Sequence, residues 1–287
     1  MNSKNKLGYL FIFPSILILA IFVFYPIFLT FKYSLYYFKL TRLSKTHFIF
    51  LDNYKNIILS REFISALYNT LFIIFILLIL GLLSSIFVAL ILNKKNKLNK
   101  FLTAIAIIPW ALPPIVNGLI WKFIFYPEIG FFNKLLYFFK ITNEPINWLN
   151  DKYGSLIIIA IIVAWRVVPF SAIILLANMQ SISEDVYEAA DIDGATSFQK
   201  FFHITIPLLI PSLIISITNF ILTGITVFDE VISLVGYRKL GETLSVYNYN
   251  ETFSFLNIGY GSAITYIIMI LSGIFGFIYI KALERKN

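Results

Sequence analysis

Residues 66–93 read ALYNTLFIIFILLILGLLSSIFVALILN, a stretch without one charged side chain. About 20 apolar residues in a helix are enough to cross the ~30 Å hydrocarbon core of a bilayer. Similar runs recur along the 287-residue chain, which is 59% hydrophobic and 13% charged, with a mean hydropathy of +0.83. These values exclude an ordinary soluble domain and predict an all-α, polytopic membrane protein.

Six transmembrane helices are predicted from these runs. The fourth run carries Arg166 between aliphatic stretches and is interpreted as a span with one buried charge. The first run is too long and too aromatic for a signal peptide, so it is expected to remain as a span. The predicted spans cover residues 7–31, 66–93, 101–126, 154–180, 206–228 and 256–281. Because internal repeats and low-complexity tracts are absent from the sequence, residues 1–287 are expected to form a single transmembrane domain.

The lysines of the short second loop predict the orientation of the spans. Short cytoplasmic loops are enriched in Lys and Arg. The densest cluster in the chain is Lys94, Lys95, Lys97 and Lys100. With this loop inside and an even number of spans, both termini are cytoplasmic, in agreement with the terminal cations Lys4, Lys6, Lys281, Arg285 and Lys286. The cations of residues 32–62 oppose this topology, but they are spread over a longer loop.

The composition also predicts what the chain lacks. The sequence contains no cysteine, which excludes disulfides, thiolate metal sites and cysteine nucleophiles. His47 and His203 are too few and too far apart for a histidine-based metal site, and the sequence has no phosphate-binding loop of the GxxxxGK[ST] type. We therefore expect no catalytic residue, no metal site and no cofactor in this chain. The net charge of +8 is scattered over the loops, which favours contact with lipid headgroups over nucleic acid.

The acidic loop at 182–206, between the fourth and fifth spans, is predicted to be cytoplasmic. Its sequence predicts a helix, a turn and a second helix. Ser181 with Glu184 fits a capping box, Gly194 fits a helix end, and Thr196 with Gln199 fits a second capping box.

The second of these short helices has one apolar face. Phe198, Phe201 and Phe202 lie at i, i+3 and i+4 on an element too short to be stable alone. Pro207 suits the first turn of the following span, so a push on the short helix is expected to reach the fifth span directly. The residues alone leave two interpretations open: docking on another protein, or packing against the chain's own helix ends and the headgroup layer.

The same loop resembles a known family element. Glu188-Ala189-Ala190, Asp193-Gly194-Ala195 and Ile206-Pro207 resemble the EAA loop of binding-protein-dependent ABC importer permeases. In that family the short helix sits in a groove of a cytoplasmic ATPase. The resemblance implies an ATPase-coupling role for Glu188, Ala189, Ala190, Asp193, Gly194, Phe198, Phe201, Phe202 and Pro207.

Other stretches resemble the first-permease type of the carbohydrate-uptake branch, with members for maltose, lactose, multiple sugars and glycerol 3-phosphate. The matching residues are Tyr9-Leu10-Phe11, Pro14, Tyr25-Pro26, Asn53-Tyr54, Asn69-Thr70, Gly130, Asn133 and Phe228-Asp229. The chain departs from that branch at 233–237, where it reads SLVGY in place of a Thr-x-Gly-Gly-Pro stretch.

The resemblance implies a permease subunit of an ATP-driven sugar importer, forming half of the translocation path. It implies a second permease in a heterodimer, an extracellular solute-binding protein and surrounding membrane lipid, in the bacterial cytoplasmic (inner) membrane, without nucleic acid. Two partner ATPase subunits would bind ATP and Mg²⁺ and hydrolyse the ATP, so this chain is not itself an enzyme. The alternatives are an ABC permease for a non-sugar substrate and a stand-alone secondary transporter. A membrane-embedded enzyme is disfavoured, because the only carboxylate cluster is the coupling loop.

Polar residues inside the spans are candidates for the substrate path. Arg166 lies about a dozen residues into its span, roughly 18 Å at 1.5 Å per residue, near the bilayer centre. It fits either a sugar path or, as we favour, a structural pair with a carbonyl or a partner subunit. The substrate-path candidates are Asn117, Arg166, Asn219, Phe228 and Asp229. Helix–helix hydrogen bonding is the alternative interpretation of the two asparagines. Pro109, Pro113 and Pro114 predict a bent third span.

Overall fold

The computed structural model describes residues 3–94 and 97–284. Lys95, Arg285 and Lys286, three cations of the orientation argument, lie outside the described residues. The all-α prediction is confirmed: helices dominate, and the described strands are the two-residue β1 (Tyr36–Tyr37) and β2 (His47–Phe48), which pair antiparallel.

Four helices are long and apolar enough to cross a membrane, and two bent pairs pass the same test together. The long helices are Phe11–Ser34, Arg61–Asn93, Lys152–Ser181 and Ile258–Ala282. The bent pairs are Asn99–Ala111 with Pro114–Ile124, at 97°, and Ser197–Leu208 with Ile210–Thr226, at 69°. The described residues therefore contain six spans, the predicted number, if each bent pair counts as one.

The α-helices are numbered along the chain. Those up to the third span are α1 (Ser3–Leu19), α2 (Tyr25–Ser34), α3 (Asp52–Leu59), α4 (Arg61–Ile76), α5 (Leu82–Asn93), α6 (Asn99–Ala111) and α7 (Pro114–Ile124). The remainder are α8 (Phe131–Phe138), α9 (Lys152–Ser181), α10 (Glu184–Ile192), α11 (Ser197–Lys200), α12 (Ile206–Leu208), α13 (Ile210–Thr226), α14 (Asp229–Val235), α15 (Leu244–Tyr249) and α16 (Ile258–Glu284). Short π-helical turns at 20–24 and 77–81 make α1 with α2, and α4 with α5, continuous.

Prolines flank both breaks. Between α6 and α7, Leu112 and Pro113 are extended, with ψ of 134° and 138°, because a residue that precedes proline avoids the helical region. The predicted bend of the third span is confirmed. In the fifth span Pro207 lies in α12, before the bend at Leu209, and Pro211 occupies the first turn of α13. Pro207 had been expected in the first turn of the long helix of this span. It lies before that helix instead, in α12.

The chain divides into two compact units, which are described separately: Met1–Ile64 with Tyr247–Leu271, and Ser65–Val246 with Ser272–Asn287. In the first, the Asn53 side chain donates to the carbonyls of Ser34 (2.8 Å) and Tyr36 (3.0 Å), which anchors the hairpin on α3. A Cβ on Gly259 would lie 2.2 Å from the Tyr36 carbonyl oxygen, so this close approach requires glycine. Burial raises the pKa of the Tyr247 phenol well above its usual range, so this group stays neutral.

The second unit is built around α9, against which α5, α6 and α13 pack. Its core includes Leu156, Ile159, Ile162 and Val163, all fully buried on α9. The short helix α14 packs on α7 and α9. This arrangement brings residues from α7, α9 and α14 to one junction inside the membrane-spanning region. The prediction of a single domain stays a prediction.

Candidate functional site

The acidic loop folds as two short helices joined by a tight turn. The helix α10 is capped by Ser183, whose hydroxyl accepts from the Asp185 backbone N–H at 3.3 Å. The predicted cap at Ser181 is wrong: α9 continues through Ser181, whose hydroxyl donates back to the Asn178 carbonyl at 2.7 Å. The cap of α10 lies at Ser183, two residues after the predicted position, because the α9 helix continues beyond the apolar run of the fourth span.

The turn and the second helix begin as predicted. Gly194 has φ of +75°, the left-handed conformation that favours glycine, and the Ala195 N–H donates to the Ala190 carbonyl at 2.9 Å. The capping box of α11 is complete: the Thr196 hydroxyl accepts from the Gln199 N–H, and the Gln199 side chain accepts from the Thr196 N–H at 2.8 Å. The α11 helix runs on through a π-helical turn at Phe201–Thr205 into the fifth span.

Large apolar side chains of this loop are exposed. Phe198 is 71% exposed and Ile192 is 88% exposed, although both stand in a polar segment. Phe198 and Phe202 contact each other, with ring centroids 4.5 Å apart, and Phe201 packs edge-on against Phe202 at 5.0 Å. The phenylalanines therefore share one face, as predicted, and Phe198 is not covered by the chain. Ile192 was not among the predicted coupling residues, and the signal for it was an isoleucine at the end of an acidic helix.

Two contacts join α10 to the entry of the fifth span. The Tyr187 and Thr205 hydroxyls lie 3.0 Å apart, and Lys200 Nζ lies 2.6 Å from Asp191 Oδ1. The remaining predicted coupling residues lie on the outside of this assembly: Glu188, Ala189 and Asp193 are exposed, and Ala190 is half-buried. These two contacts hold α10 against α11 and the π-helical turn that opens the fifth span.

A second site lies at the junction of α7, α9 and α14. Arg166 Nε on α9 donates to Glu230 Oε1 on α14 at 2.7 Å. Glu230 is 2% exposed and Arg166 is 16% exposed, so this is a buried ion pair. The favoured structural role of Arg166 agrees with this geometry, but its partner is a carboxylate of the same chain. Sequence reasoning selected the neighbouring Asp229, which is half-buried, and missed Glu230.

Near this pair, two buried polar atoms make no hydrogen bond within the part of the chain that the structure describes. Asn117 is fully buried, and its Nδ2 donates to the Ile162 carbonyl, one turn before Arg166, at 3.2 Å. Its Oδ1 is unpaired, as is Nε1 of Trp121, one turn further along α7. An unmet buried donor or acceptor costs about 1–3 kcal/mol.

The other substrate-path candidates occupy different positions. Asn219 is half-buried on α13, and Phe228 caps the start of α14. No hydrogen bond joins Asn219 to the Arg166–Glu230 pair within the described residues. Over the same residues, no three His, Cys, Asp or Glu side chains gather as a metal site requires.

A cavity of about 580 Å³ opens at the N-terminal end of α9. Charged or amide side chains in its lining are Lys122, Glu128, Asn147, Asn150 and Arg238. Since α9 has 30 residues, this cavity lies about 45 Å from the acidic loop, at the opposite end of the span. The divergent stretch 233–237 contributes to it through Leu234, Val235, Gly236 and Tyr237.

Several residues that matched the family pattern brace the backbone, and one of them, Asn133, does so beside this cavity. The Asn133 side chain donates to the carbonyls of Pro127 (2.8 Å) and Ile146 (2.9 Å) and accepts from Trp148 Nε1 (3.0 Å). Asn69 Nδ2 donates to the Glu242 carbonyl at 2.8 Å, and Thr70 Oγ1 accepts from the Leu244 N–H at 2.9 Å. These residues hold loops in place, which accounts for polar side chains at the ends of apolar spans.

Comparison with known families gives a match over most of the chain. A family model described as "Binding-protein-dependent transport system inner membrane component" matches residues 81–287. The trehalose/maltose transport system permease protein MalF of Thermococcus litoralis is 34% identical over 282 residues, which cover 97% of this chain and 94% of that protein. The sulfoquinovosyl glycerol transport system permease protein SmoG of Agrobacterium fabrum is 30% identical over 287 residues, 99% of this chain and 92% of that protein.

Solved structures share the fold. A chain from a bacterial ABC transporter involved in the import of the acidic polysaccharide alginate superposes with a TM-score of 0.83 at 20% identity, covering 99% of this chain and 96% of that one. At this level of identity the match establishes the fold alone. The described helices therefore share the fold of that chain.

Proposed function

The chain belongs to the binding-protein-dependent transport system inner membrane components, and from this membership we propose that it is the sugar-carrying permease of an ATP-driven importer. It would form half of the translocation path, with a second permease in a heterodimer. An extracellular solute-binding protein would deliver the substrate. The relatives named for trehalose, maltose and sulfoquinovosyl glycerol support a carbohydrate substrate class.

Coupling to ATP would take place at the acidic loop. One observation carries this part of the proposal: Phe198 and Ile192 are exposed on an element that Tyr187–Thr205 and Asp191–Lys200 join to the fifth span. Exposed apolar side chains on a rigid, capped element are suited to a groove on another protein. Two ATPase subunits, which would bind ATP and Mg²⁺ and hydrolyse the ATP, are the proposed partners.

The proposed location is the bacterial cytoplasmic (inner) membrane, with both termini and the acidic loop inside. The exposed lysines Lys94, Lys97 and Lys100 support this orientation, because short cationic loops stay on the cytoplasmic side. The 580 Å³ cavity at the other end of α9 would then face the solute-binding protein.

The substrate path is proposed to pass the junction of α7, α9 and α14. The unpaired Asn117 Oδ1 and Trp121 Nε1 could accept from and donate to a sugar hydroxyl. The buried Arg166–Glu230 pair would position α14 beside this path. Asn219, Phe228 and Asp229 remain proposed path residues on the segment that leads into α14.

A stand-alone secondary transporter is the second candidate, and Glu230 is the observation that favours it. Transporters of that class use buried carboxylates for proton or ion coupling. Here the carboxylate is paired with Arg166 at 2.7 Å, which suits a structural role better than a coupling role. The two candidates differ in a measurable way, because only the importer requires an ATPase and a second permease.

The first test is co-purification of the chain from its own membranes in mild detergent. The importer proposal predicts an ATPase subunit and a second multi-span protein in the purified complex. Uptake by proteoliposomes that contain this complex should then require internal ATP and external binding protein. Sugars, polyols and non-sugar solutes should be compared as substrates. A chain that purifies alone and transports with an ion gradient would refute the importer proposal.

The loop itself is tested with Glu188→Lys and Gly194→Pro. Glu188 is exposed, so reversing its charge changes the surface offered to a partner without disturbing a core. Proline cannot adopt the φ of +75° found at Gly194. Both variants should insert normally and lose uptake while the ATPase subunits dissociate or hydrolyse ATP without transport. Normal uptake in both variants would remove the loop from the mechanism.

A further inference from the structure

A second cavity, of about 410 Å³, is apolar and lies among α5, α6 and α9. Its walls include Leu80, Ser84, Val88, Ala106, Pro109 and Trp165, and no charged side chain lines it. All of these residues belong to candidate membrane spans. Sugars need hydrogen-bonding walls, so this cavity is unsuited to the transported substrate.

The cavity opens on the outer face of the helices. Leu80, Ser84 and Trp165 are exposed on the surface of the chain, and the apolar candidate spans that carry them set this surface at the depth of the bilayer interior. An apolar groove that is open to hydrocarbon is accessible to acyl chains. Acyl chains alone would give no preference among lipids, because all phospholipids carry them.

Cations stand at one end of the groove. Lys94, Lys97 and Lys100 are exposed in the turn between α5 and α6. The Asn99 side chain donates to the Leu92 carbonyl at 2.9 Å and to the Lys94 carbonyl, which ties the first residue of α6 to the end of α5. The 13-residue α6 also begins here, and its N-terminus adds partial positive charge.

The distances match one leaflet. Val88 precedes Lys94 by six residues, and Ala106 follows Lys100 by six, so the groove begins about 9 Å from the lysines on both helices. It extends to Leu80, about 21 Å from Lys94 along α5. Half of a bilayer including its headgroups is about 20–22 Å thick. A headgroup at the lysines therefore places an acyl chain along the whole groove.

We propose that the groove and the three lysines form a binding site for one anionic phospholipid. The phosphate-bearing headgroup pairs with Lys94, Lys97 and Lys100, and one acyl chain fills the groove beside Trp165. The charge complementarity selects an anionic lipid over a zwitterionic one, because juxtamembrane lysines attract anionic headgroups. This site is separate from the coupling loop, and Trp165 also packs edge-on against Trp121 of the proposed sugar path, with ring centroids 5.6 Å apart.

The test measures quenching of tryptophan fluorescence by brominated acyl chains. The intact importer is placed in nanodiscs of phosphatidylcholine that contain brominated phosphatidylglycerol or, for comparison, brominated phosphatidylcholine at the same mole fraction. Brominated phosphatidylglycerol should quench more strongly, and Trp165→Phe should remove this excess. Half-maximal quenching should need about five-fold more phosphatidylglycerol in Lys100→Gln. A larger shift is expected when Lys94, Lys97 and Lys100 are all replaced by glutamine.

Two further variants separate the explanations. Ser84→Phe should fill the groove and abolish the excess quenching while leaving all lysines in place. A matched control replaces three exposed lysines elsewhere, Lys45, Lys55 and Lys134, with glutamine and should keep the excess. Equal quenching by both lipids would show bulk lipid only, and no quenching by either would show that protein covers the groove. Either result, or a preference that survives loss of the three lysines, overturns the proposal.

Discussion

Breaking the buried ion pair between Arg166 and Glu230 should destabilise the protein strongly, whereas removing both charges together should not. The two atoms are 2.7 Å apart, and the carboxylate is 2% exposed. Arg166→Met leaves a buried carboxylate without its partner, and Glu230→Leu leaves a buried guanidinium. Each single change should cost about 3–5 kcal/mol, because the remaining charge is not solvated.

The free energy of unfolding of the double variant Arg166→Met/Glu230→Leu should lie within about 1 kcal/mol of the parent's, because apolar side chains of similar volume often replace a buried ion pair at little cost. The exposed pair Asp191–Lys200 offers a matched control at a similar distance, 2.6 Å. Because Asp191 is exposed, Lys200→Met should cost at most about 1 kcal/mol.

The assay is reversible unfolding of the purified complex in increasing SDS, followed by tryptophan fluorescence, for the parent, both single variants, the double variant and the control. The coupling energy between Arg166 and Glu230 is the change in the free energy of unfolding of the double variant minus the sum of the changes in the two single variants. The reasoning is refuted if the single variants are as stable as the parent. It is equally refuted if the double variant loses the sum of the two single losses, because the charges would then act independently.

Three further outcomes are expected. Gly194→Ala should lose about 1–2 kcal/mol, because its φ is +75°, and Gly236→Ala should lose about 1–3 kcal/mol, because φ of +72° with ψ of −160° is a region that glycine alone populates. An added Cβ meets no atom within 4 Å at either position, so the backbone conformation is the only cause of these losses. Only Gly194→Ala should lower sugar uptake per ATP hydrolysed, and an equal loss of uptake in both variants would show that the turn at Gly194 has no specific role in coupling. Gly118→Ala should lower the unfolding temperature, because its Cβ would overlap Ser233 Oγ. Adding Ser233→Gly to this variant should recover part of the lost unfolding temperature, and no recovery would show that the overlap with Ser233 is not the cause. Asn133→Ala removes three hydrogen bonds and should cost about 3 kcal/mol in thermal unfolding, and a change below 1 kcal/mol would contradict its role as a brace.

The spans could be predicted from sequence because membrane insertion is dictated by local hydropathy. The bend at Pro109–Pro114 was equally local, since proline restricts its own backbone and the residue before it. The 69° break at Leu209 was not predicted, because Pro207 and Pro211 each suit a first helical turn and only packing decides between them. The cap at Ser183 was missed for a related reason: no residue marks where α9 ends.

The candidate sites show the same division between local and tertiary information. The turn at Gly194 and the capping box at Thr196 depend on neighbours within a few residues, and both were predicted. Arg166 could be identified as a buried charge, but Glu230 lies 64 residues away and becomes its partner only through the packing of α14 on α9. The roles assigned to coupling and path residues stay predictions.

The 69° bend at Leu209 has a consequence for how force would travel if an ATPase acts on the acidic loop. Displacement along the axis of residues 197–208 projects by only about a third onto the axis of α13, and the rest is perpendicular to it. The proposed movement of the acidic loop would therefore displace α13 mainly sideways, in the plane of the bilayer. It would move α13 only slightly along its own axis. Sideways displacement opens and closes a gap between helices while keeping each apolar surface at its own depth, so transport would proceed without dragging α13 through the headgroup layers.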